Sequence, residues 1–361
     1  MKKIITVVGA RPQFIKAAVV SRHLRSLEGM SEIIIHTGQH FDPNMSEIFF
    51  EEMEIPKPDQ NLGINSRNEA AMTGEMILGL QEIFNDIRPD MVMVYGDTTS
   101  TLAAAIAARK SGNRLSHVEA GLRSFNRSMP EETNRILTDH VSDLLFCPTK
   151  HAVSNLLREG FNHEEQKIVL SGDVMLDAFM FYRQKSLERV SSSIDGIVEK
   201  GNYVLLTLHR QSNVDDTKTL SQLLHAIGKL SRSIRVVFPC HPRTRKKMEL
   251  IEVENGIELI DPVGYLDMIK LLENCEMVLT DSGGLQKESY FAGKFCLTLR
   301  NETEWVELVE GGFNFLVGGK LDQLETFYEN LGSREWNHQS HLYGNGNSAK
   351  IIADEVVTFL H

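Results

Sequence analysis

Three acidic side chains in the first half of the chain stand where an apolar run gives way to a loop or a helix opens. Asp97 follows Met91–Tyr95 and Gly96, Glu119 ends the run Leu115–Val118, and Glu131 follows Pro130. Carboxylates crowded at one edge shift one another's pKa and can divide the work of acid and base, so the pattern points to proton transfer. At Glu132 the preference of carboxylates for a helix N-terminus is explanation enough. Glu131 has the same explanation open to it, but its expected convergence with Asp97 and Glu119 assigns it to the reacting set.

The second half carries a different chemistry. Thr280-Asp281-Ser282-Gly283-Gly284 leaves an apolar run and enters a helical one. A helix opening on glycines offers unpaired N–H groups and a positive dipole end, with no Cβ in the path of an anion. A plain turn using glycine for its dihedrals would read the same way. Two further strand ends carry His209-Arg210 and His241-Pro242-Arg243. A lone histidine is more often structural, but the adjoining arginines and the repetition favour ligand contact. Facing Ser282, Gly283 and Gly284, they would suit a diphosphate. In the first half, Gly9-Ala10-Arg11-Pro12 precedes a helix, with Arg11 placed to fork onto phosphate oxygens and Lys16 about one turn on. A proline-started helix with two surface cations fits these residues too. The motif is not GxGxxG, which takes away most support for a dinucleotide.

The elements that must position these groups alternate short β-branched runs with longer helical patterns, as βα units of parallel sheets do. Strands are expected at Ile4–Val8, Glu32–His36, Met91–Tyr95, Leu115–Val118, Asp143–Cys147 and Lys167–Leu170. The second half adds Tyr203–Leu208, Arg235–Pro239, Ile257–Ile260, Met277–Thr280, Phe295–Leu299 and Phe313–Val317. That is about six strands in each half, as two Rossmann-like sheets require. Glu188–Asn202, sparse in apolar residues, reads as the linker. The expected division is a first domain over 1–190, a second over 191–345, and a closing helix over 346–361 that could cross back to the first. Polar residues recur at the carboxyl ends of the strands in both halves, which predicts a ligand cleft between the domains.

The chain has 361 residues, of which 42% are hydrophobic, and a formal net charge of -11. An acidic chain is a poor nucleic-acid binder, and the basic run Arg243–Lys247 is too short to reverse that. The cysteines Cys147, Cys240, Cys275 and Cys296 sit singly, without CxxC or HExxH, so a metal site is not expected and buried, reduced thiols are. Arg11-Pro12 cuts the opening apolar run short of a signal peptide, and no stretch is long enough to span a membrane. A cytoplasmic protein is expected.

GARPQFIKAA, HTGQHF, YGDTTSTLAAA, HVEAGLRSF, MPEETNRILTDH, LLTLHR, PCHPRT, DPVGYL, TDSGGLQKE and LYGNGNSAKIIA occur in this order. Together they resemble the non-hydrolysing UDP-N-acetylglucosamine 2-epimerases over nearly the whole chain. The resemblance implies two Rossmann-like domains in a glycosyltransferase-B arrangement, UDP in the cleft, and a homodimer. It implies elimination of UDP from C1 as the C2 proton leaves, a 2-acetamidoglucal intermediate, and re-addition after protonation from the opposite face. Carried over by motif, Asp97, Glu119, Glu131 and His209 match catalytic residues, with acid and base unassigned among them. Arg11, Lys16, Ser282, Gly283, Gly284 and Glu288 match the nucleotide site, Glu288 holding the ribose hydroxyls. No metal or nicotinamide cofactor is implied.

Two departures bear on the sugar. Many bacterial relatives read Gln-His-Arg-Glu where this chain has Gln39-His40-Phe41-Asp42, in a loop tied to an allosteric substrate site. They also carry Thr-Glu-Arg-Pro-Glu where this chain has Thr303-Glu304-Trp305-Val306-Glu307. UDP-N-acetylglucosamine is the leading substrate. The alternative is UDP-2,3-diacetamido-2,3-dideoxyglucuronate, whose branch the departures resemble. A hydrolysing epimerase and a glycosyltransferase of the same fold are the competing readings, and the first-half carboxylates favour proton chemistry over sugar transfer.

Overall fold

A computed structural model describes residues 1–39, 54, 57–66, 68–161, 166–189, 193–248, 251, 256–336 and 341–361, with the side chains of Arg11, Gln211 and Ser212 outside that description. His40, Phe41 and Asp42 therefore lie outside the described residues, as does the expected boundary between 190 and 191. The chain divides into two compact units, Met1–Met180 with His341–His361, and Phe181–Ser340. The division falls within the helix Val174–Glu188. Among the described residues no helix is long and apolar enough to cross a membrane.

The first unit holds a parallel sheet of seven strands in the order β3-β2-β1-β4-β5-β6-β7. They are β1 (Lys2–Val8), β2 (Met30–His36), β3 (Gln60–Asn61), β4 (Met91–Tyr95), β5 (Leu115–Val118), β6 (Leu144–Cys147) and β7 (Lys167–Leu170). One more strand than expected appears because β3 is two polar residues laid beside Ile35 and His36, too short to leave a pattern. β4 is buried along its whole length, as a central strand covered by helices on both faces must be. The helix Thr99–Lys110 lies close to the helix Glu69–Ile87. It buries Ala103, Ala104, Ala105, Ala107 and Ala108, small side chains that permit a close approach. Thr98 caps this helix by accepting from the Thr101 amide.

The closing helix Ser348–Leu360 belongs to this unit and packs against the helix Arg11–Ser26. It buries Ile352, Ala353 and Val356, and Asp177 accepts from the Ala349 amide at 2.8 Å to cap its first turn.

The second unit holds a parallel sheet of six strands in the order β10-β9-β8-β11-β12-β13. They are β8 (Tyr203–Thr207), β9 (Arg235–Pro239), β10 (Ile257–Ile260), β11 (Met277–Thr280), β12 (Phe295–Thr298) and β13 (Asn314–Leu316). The helix Thr217–Leu230, capped by Asp216, buries Leu220, Leu223, Leu224, Ile227 and Leu230, the spacing of one helical face. Each such side chain contributes about 2 kcal/mol when fully buried.

In both sheets the strand order reverses once, between β1 and β4 in the first and between β8 and β11 in the second. Loops leaving the strands on either side of a reversal part company, which is where open α/β sheets hold ligands. Gly9–Pro12 and Gly96–Thr98 leave one such point. His209-Arg210 and Asp281–Gly284 leave the other.

Candidate active site

In the first unit the loops after β1, β4 and β5 are tied into one network. Gln13 accepts from the amides of Gly9 and Ala10 at 2.8 and 3.0 Å, closing the start of its helix. Its own amide donates to the Tyr95 carbonyl and the Thr101 hydroxyl, both at 2.9 Å, fastening the β1 loop to the β4 loop. Lys16, one turn further on, is buried and forms an ion pair with Glu119, also buried. Gly96 stands against both groups, since a Cβ there would come within 3.1 Å of Lys16 Nζ and 3.4 Å of Glu119 Oε2. Glu119 itself takes a φ of 77°.

Asp97 is the second carboxylate of this edge. Arg135 donates to its Oδ2, and Asn134 donates to its backbone carbonyl at 2.9 Å. Burial works to raise the Asp97 carboxyl, but the Arg135 guanidinium, with Lys16 and His117 adding to it, holds it below the ordinary aspartate value. The helix Pro130–Val141 thus supplies the groups that fix Asp97, and its first turn exposes Glu131. Glu132 turns the other way. It accepts from the Ser124 and Phe125 amides at 2.9 and 2.8 Å and from Arg135 at 2.8 Å, so it secures the loop before its helix.

In the second unit Asp281 is the organising residue. It is fully buried and accepts from the backbone amides of His209 at 2.9 Å and Arg210 at 3.1 Å, and from the Asn213 side chain at 3.0 Å. With the Thr207–Thr280 hydroxyl contact of 2.6 Å, it clasps the β8 and β11 loops together and leaves the His209 side chain exposed. The following helix, Gly283–Phe291, begins without a side-chain cap from Ser282, so its first amides keep their donor capacity. The two glycines differ. A Cβ on Gly283 would lie 2.2 Å from Glu304 Oε1, whereas Gly284 has only the Ser282 hydroxyl within 4 Å, at 3.9 Å. Glycine at 283 therefore admits Glu304, and the open approach is at 284.

Glu288, nearly buried on the same helix, accepts from the Tyr265 hydroxyl at 2.8 Å. Gln286 is structural: its Oε1 accepts from Thr303 and Asn314, both at 2.7 Å. Lys287, buried beside it, lies 4.0 Å over the Trp305 ring. Arg243 is exposed and pairs with Asp215 at 2.7 Å, while His241 Nδ1 accepts from the Arg243 amide at 3.3 Å. The side chain of Arg11 lies outside the described residues.

The four cysteines are free and buried. Burial pushes the Cys275 and Cys296 thiols up to about 12, far from thiolate chemistry at neutral pH. Gln13, Asn134 and Arg135 were not singled out by sequence reasoning, and Asp281 entered it only as part of the turn leading to Ser282-Gly283-Gly284. Their positions one to four residues from a candidate site residue are the signal that could have found them.

A family model for UDP-N-acetylglucosamine 2-epimerase matches residues 22–357. A UDP-2,3-diacetamido-2,3-dideoxy-D-glucuronate 2-epimerase of Pseudomonas aeruginosa is 49% identical over 98% of both chains. The UDP-GlcNAc 2-epimerase of Methanocaldococcus jannaschii, solved in complex with UDP-GlcNAc and UDP, superposes with a TM-score of 0.90. It is 38% identical and covers 99% of this chain and 100% of its own. The Neisseria meningitidis enzyme, solved bound to UDP-GlcNAc, gives 0.89 at 31% identity, covering 99% of this chain and 100% of its own. Two Rossmann-like α/β units, the motifs at their strand ends and likeness over nearly the whole length agree: the chain is an isomerase belonging to the UDP-N-acetylglucosamine 2-epimerase family.

Proposed function

We propose that the protein interconverts the C2 epimers of a UDP-linked 2-acetamido sugar. UDP leaves C1 as the C2 proton is taken, and returns to the 2-acetamidoglucal after a proton reaches C2 from the other face. The observation that carries this reading is the pair of cation-held carboxylates, Asp97 on Arg135 and Glu119 on Lys16, at the ends of neighbouring strands. Asp97, held below its ordinary value, is ionised at neutral pH and fit to receive a proton or to stabilise positive charge developing at C1. Glu131 and His209 complete the acid–base set. In this reading Lys16, expected at the nucleotide site, also holds Glu119.

Retention of UDP falls mainly to the second unit. The uncapped start of Gly283–Phe291, with Ser282 and the open approach at Gly284, suits the diphosphate. Glu288, one oxygen fixed by Tyr265, suits the ribose hydroxyls, and Arg11, His241 and Arg243 add donors and positive charge. A seat that lost UDP before the glucal was reprotonated would turn the reaction into hydrolysis.

Among sugars, UDP-2,3-diacetamido-2,3-dideoxyglucuronate is favoured by the activity of the Pseudomonas aeruginosa relative and by Trp305 in place of an arginine. UDP-N-acetylglucosamine is the second reading, favoured by what the Methanocaldococcus jannaschii and Neisseria meningitidis structures hold. Incubating the purified protein in D2O with each nucleotide sugar and following C2 by NMR tests both. Epimer formation with deuterium at C2 is expected for one of them. Unlabelled C2 in both would reject proton abstraction, and free sugar with UDP would identify a hydrolase.

A further inference from the structure

His117, on β5, is fully buried and has no place in the acid–base set. Both of its ring nitrogens meet acceptors. Nε2 lies 2.8 Å from the Gly96 carbonyl, which can only accept, so Nε2 donates. Nδ1 lies 2.7 Å from Asp139 Oδ1. Asp139 is itself an acceptor, since its Oδ2 takes hydrogen bonds from Arg123 Nη1 at 2.7 Å and from the Gly121 amide at 3.1 Å. Nδ1 thus faces a carboxyl group that already accepts at its other oxygen, an arrangement satisfied by a ring that donates from both nitrogens.

The groups facing this ring come from every element around it. Asp139 comes from the helix Pro130–Val141, Arg123 from the loop after β5, and Asp97 from the loop after β4. Burial works to raise the Asp139 carboxyl, but His117 and Arg123 outweigh it and hold it below the ordinary value. Cys147 on β6 is pushed well up by burial and by Asp139, so it stays a neutral thiol. His117 and Arg123 thus meet one carboxylate, Asp139, and Glu159 takes the other side of Arg123 at 2.6 to 2.8 Å.

The backbone atoms that this cluster grips are the telling part. Gly96 immediately precedes Asp97, and Gly121 lies two residues after Glu119. We propose that His117 is a positioning residue which, as a doubly protonated ring joined to Asp139, locks the loops carrying Asp97 and Glu119 at a fixed separation. The charge also reaches Asp97, which His117 helps to keep ionised. The proposal rests on the epimerase reading above, because only a reaction using both carboxylates needs their spacing fixed.

The consequence is a split between turnover and binding. His117→Ala should lower kcat by about 10²-fold, the scale of a misplacement near 1 Å, with KM and UDP affinity unchanged. Asp139→Asn keeps the shape and removes the charge, and should lower kcat as well. The double variant should be no slower than the worse single one, because the two residues act as a unit. In the unmodified enzyme, 15N spectra of the histidine rings should show both nitrogens of His117 protonated at pH 7. A neutral-ring signature there would overturn the proposal. So would a folded His117→Ala or Asp139→Asn enzyme with kcat within about threefold of the parent, or a loss shared equally by kcat and UDP affinity. If the parent fails to exchange the C2 proton, the epimerase reading falls separately, while the 15N spectrum still decides the protonation of His117.

Discussion

The two units solve opposite electrostatic problems with similar sheets. In the first, every candidate carboxylate with a described partner meets a cation: Glu119 meets Lys16, Asp97 meets Arg135, and Asp139 meets His117 and Arg123. In the second, the fully buried Asp281 meets backbone amides and the Asn213 side chain rather than a cation, and the helix beginning at Gly283 has no side-chain cap. A unit that moves protons needs its charges fixed, because a small drift of a carboxylate changes both its reach and its proton affinity. One that holds an anion must leave donors unsatisfied until the anion arrives. In the proposed reading the carboxylate chemistry belongs to the first unit and retention of the leaving group to the second.

The largest effect expected is on turnover. Glu119→Gln or Asp97→Asn should slow C2 deuterium incorporation by a factor of about 10² or more while calorimetry with UDP finds the affinity of the parent. Equal losses in both measurements would dissolve the division of labour. Next comes the glycine pair. Gly283→Ala forces a methyl group against Glu304 and should cost about 1–3 kcal/mol in thermal unfolding, whereas Gly284→Ala, with open space around it, should leave stability nearly unchanged. Similar costs at both positions would refute the different uses given to them.

Glu288→Ala should weaken UDP about tenfold by calorimetry, or about 1.4 kcal/mol, and leave the first unit's thermal stability alone. The smallest effect is on acid stability. Asp97 and Asp139 are both held below the ordinary value of 3.8, so each contributes stability that is present above 3.8 and lost as pH falls through its lower folded value. In Asp139→Asn the fall in stability below about pH 4 should be shallower, as urea midpoints measured from pH 5 to pH 2 would report.

The sheets were legible because their strands are apolar on both faces and bounded by polar loops. β4, β5, β7, β9, β10 and β11 coincide with the expected runs. The edges drifted where hydrophobicity and hydrogen bonding part company. β1 and β2 begin two residues early because Lys2 and Lys3 pair with Met30 and Ser31 through the backbone, whatever their side chains prefer. β13 is shorter than its apolar run, Phe313 and Val317 being buried beyond the strand ends. For the site, strand ends located Asp97, His209 and Ser282 as loop residues at the sheet reversals, and Glu119 one strand further on, after β5. Periodicity carries no information about which donor meets which acceptor, so the clasping roles of Gln13 and Asp281 showed only as nearness to candidate site residues, and that of Asp139 had no signature. Glu132 read as a helix-dipole residue, and the structure gives it a second duty as the acceptor for the Ser124–Phe125 backbone.

The closing helix Ser348–Leu360 has a consequence for how the molecule comes into being. The second unit is one uninterrupted stretch, Phe181–Ser340, and can fold as soon as that stretch has left the ribosome. The first unit, whose strands are made earliest, completes its packing only when the helix Ser348–Leu360 lies against the helix Arg11–Ser26. On the proposed division of roles, the seat for the leaving group can be ready while the chain is still being synthesised, and the unit carrying the carboxylates is finished last.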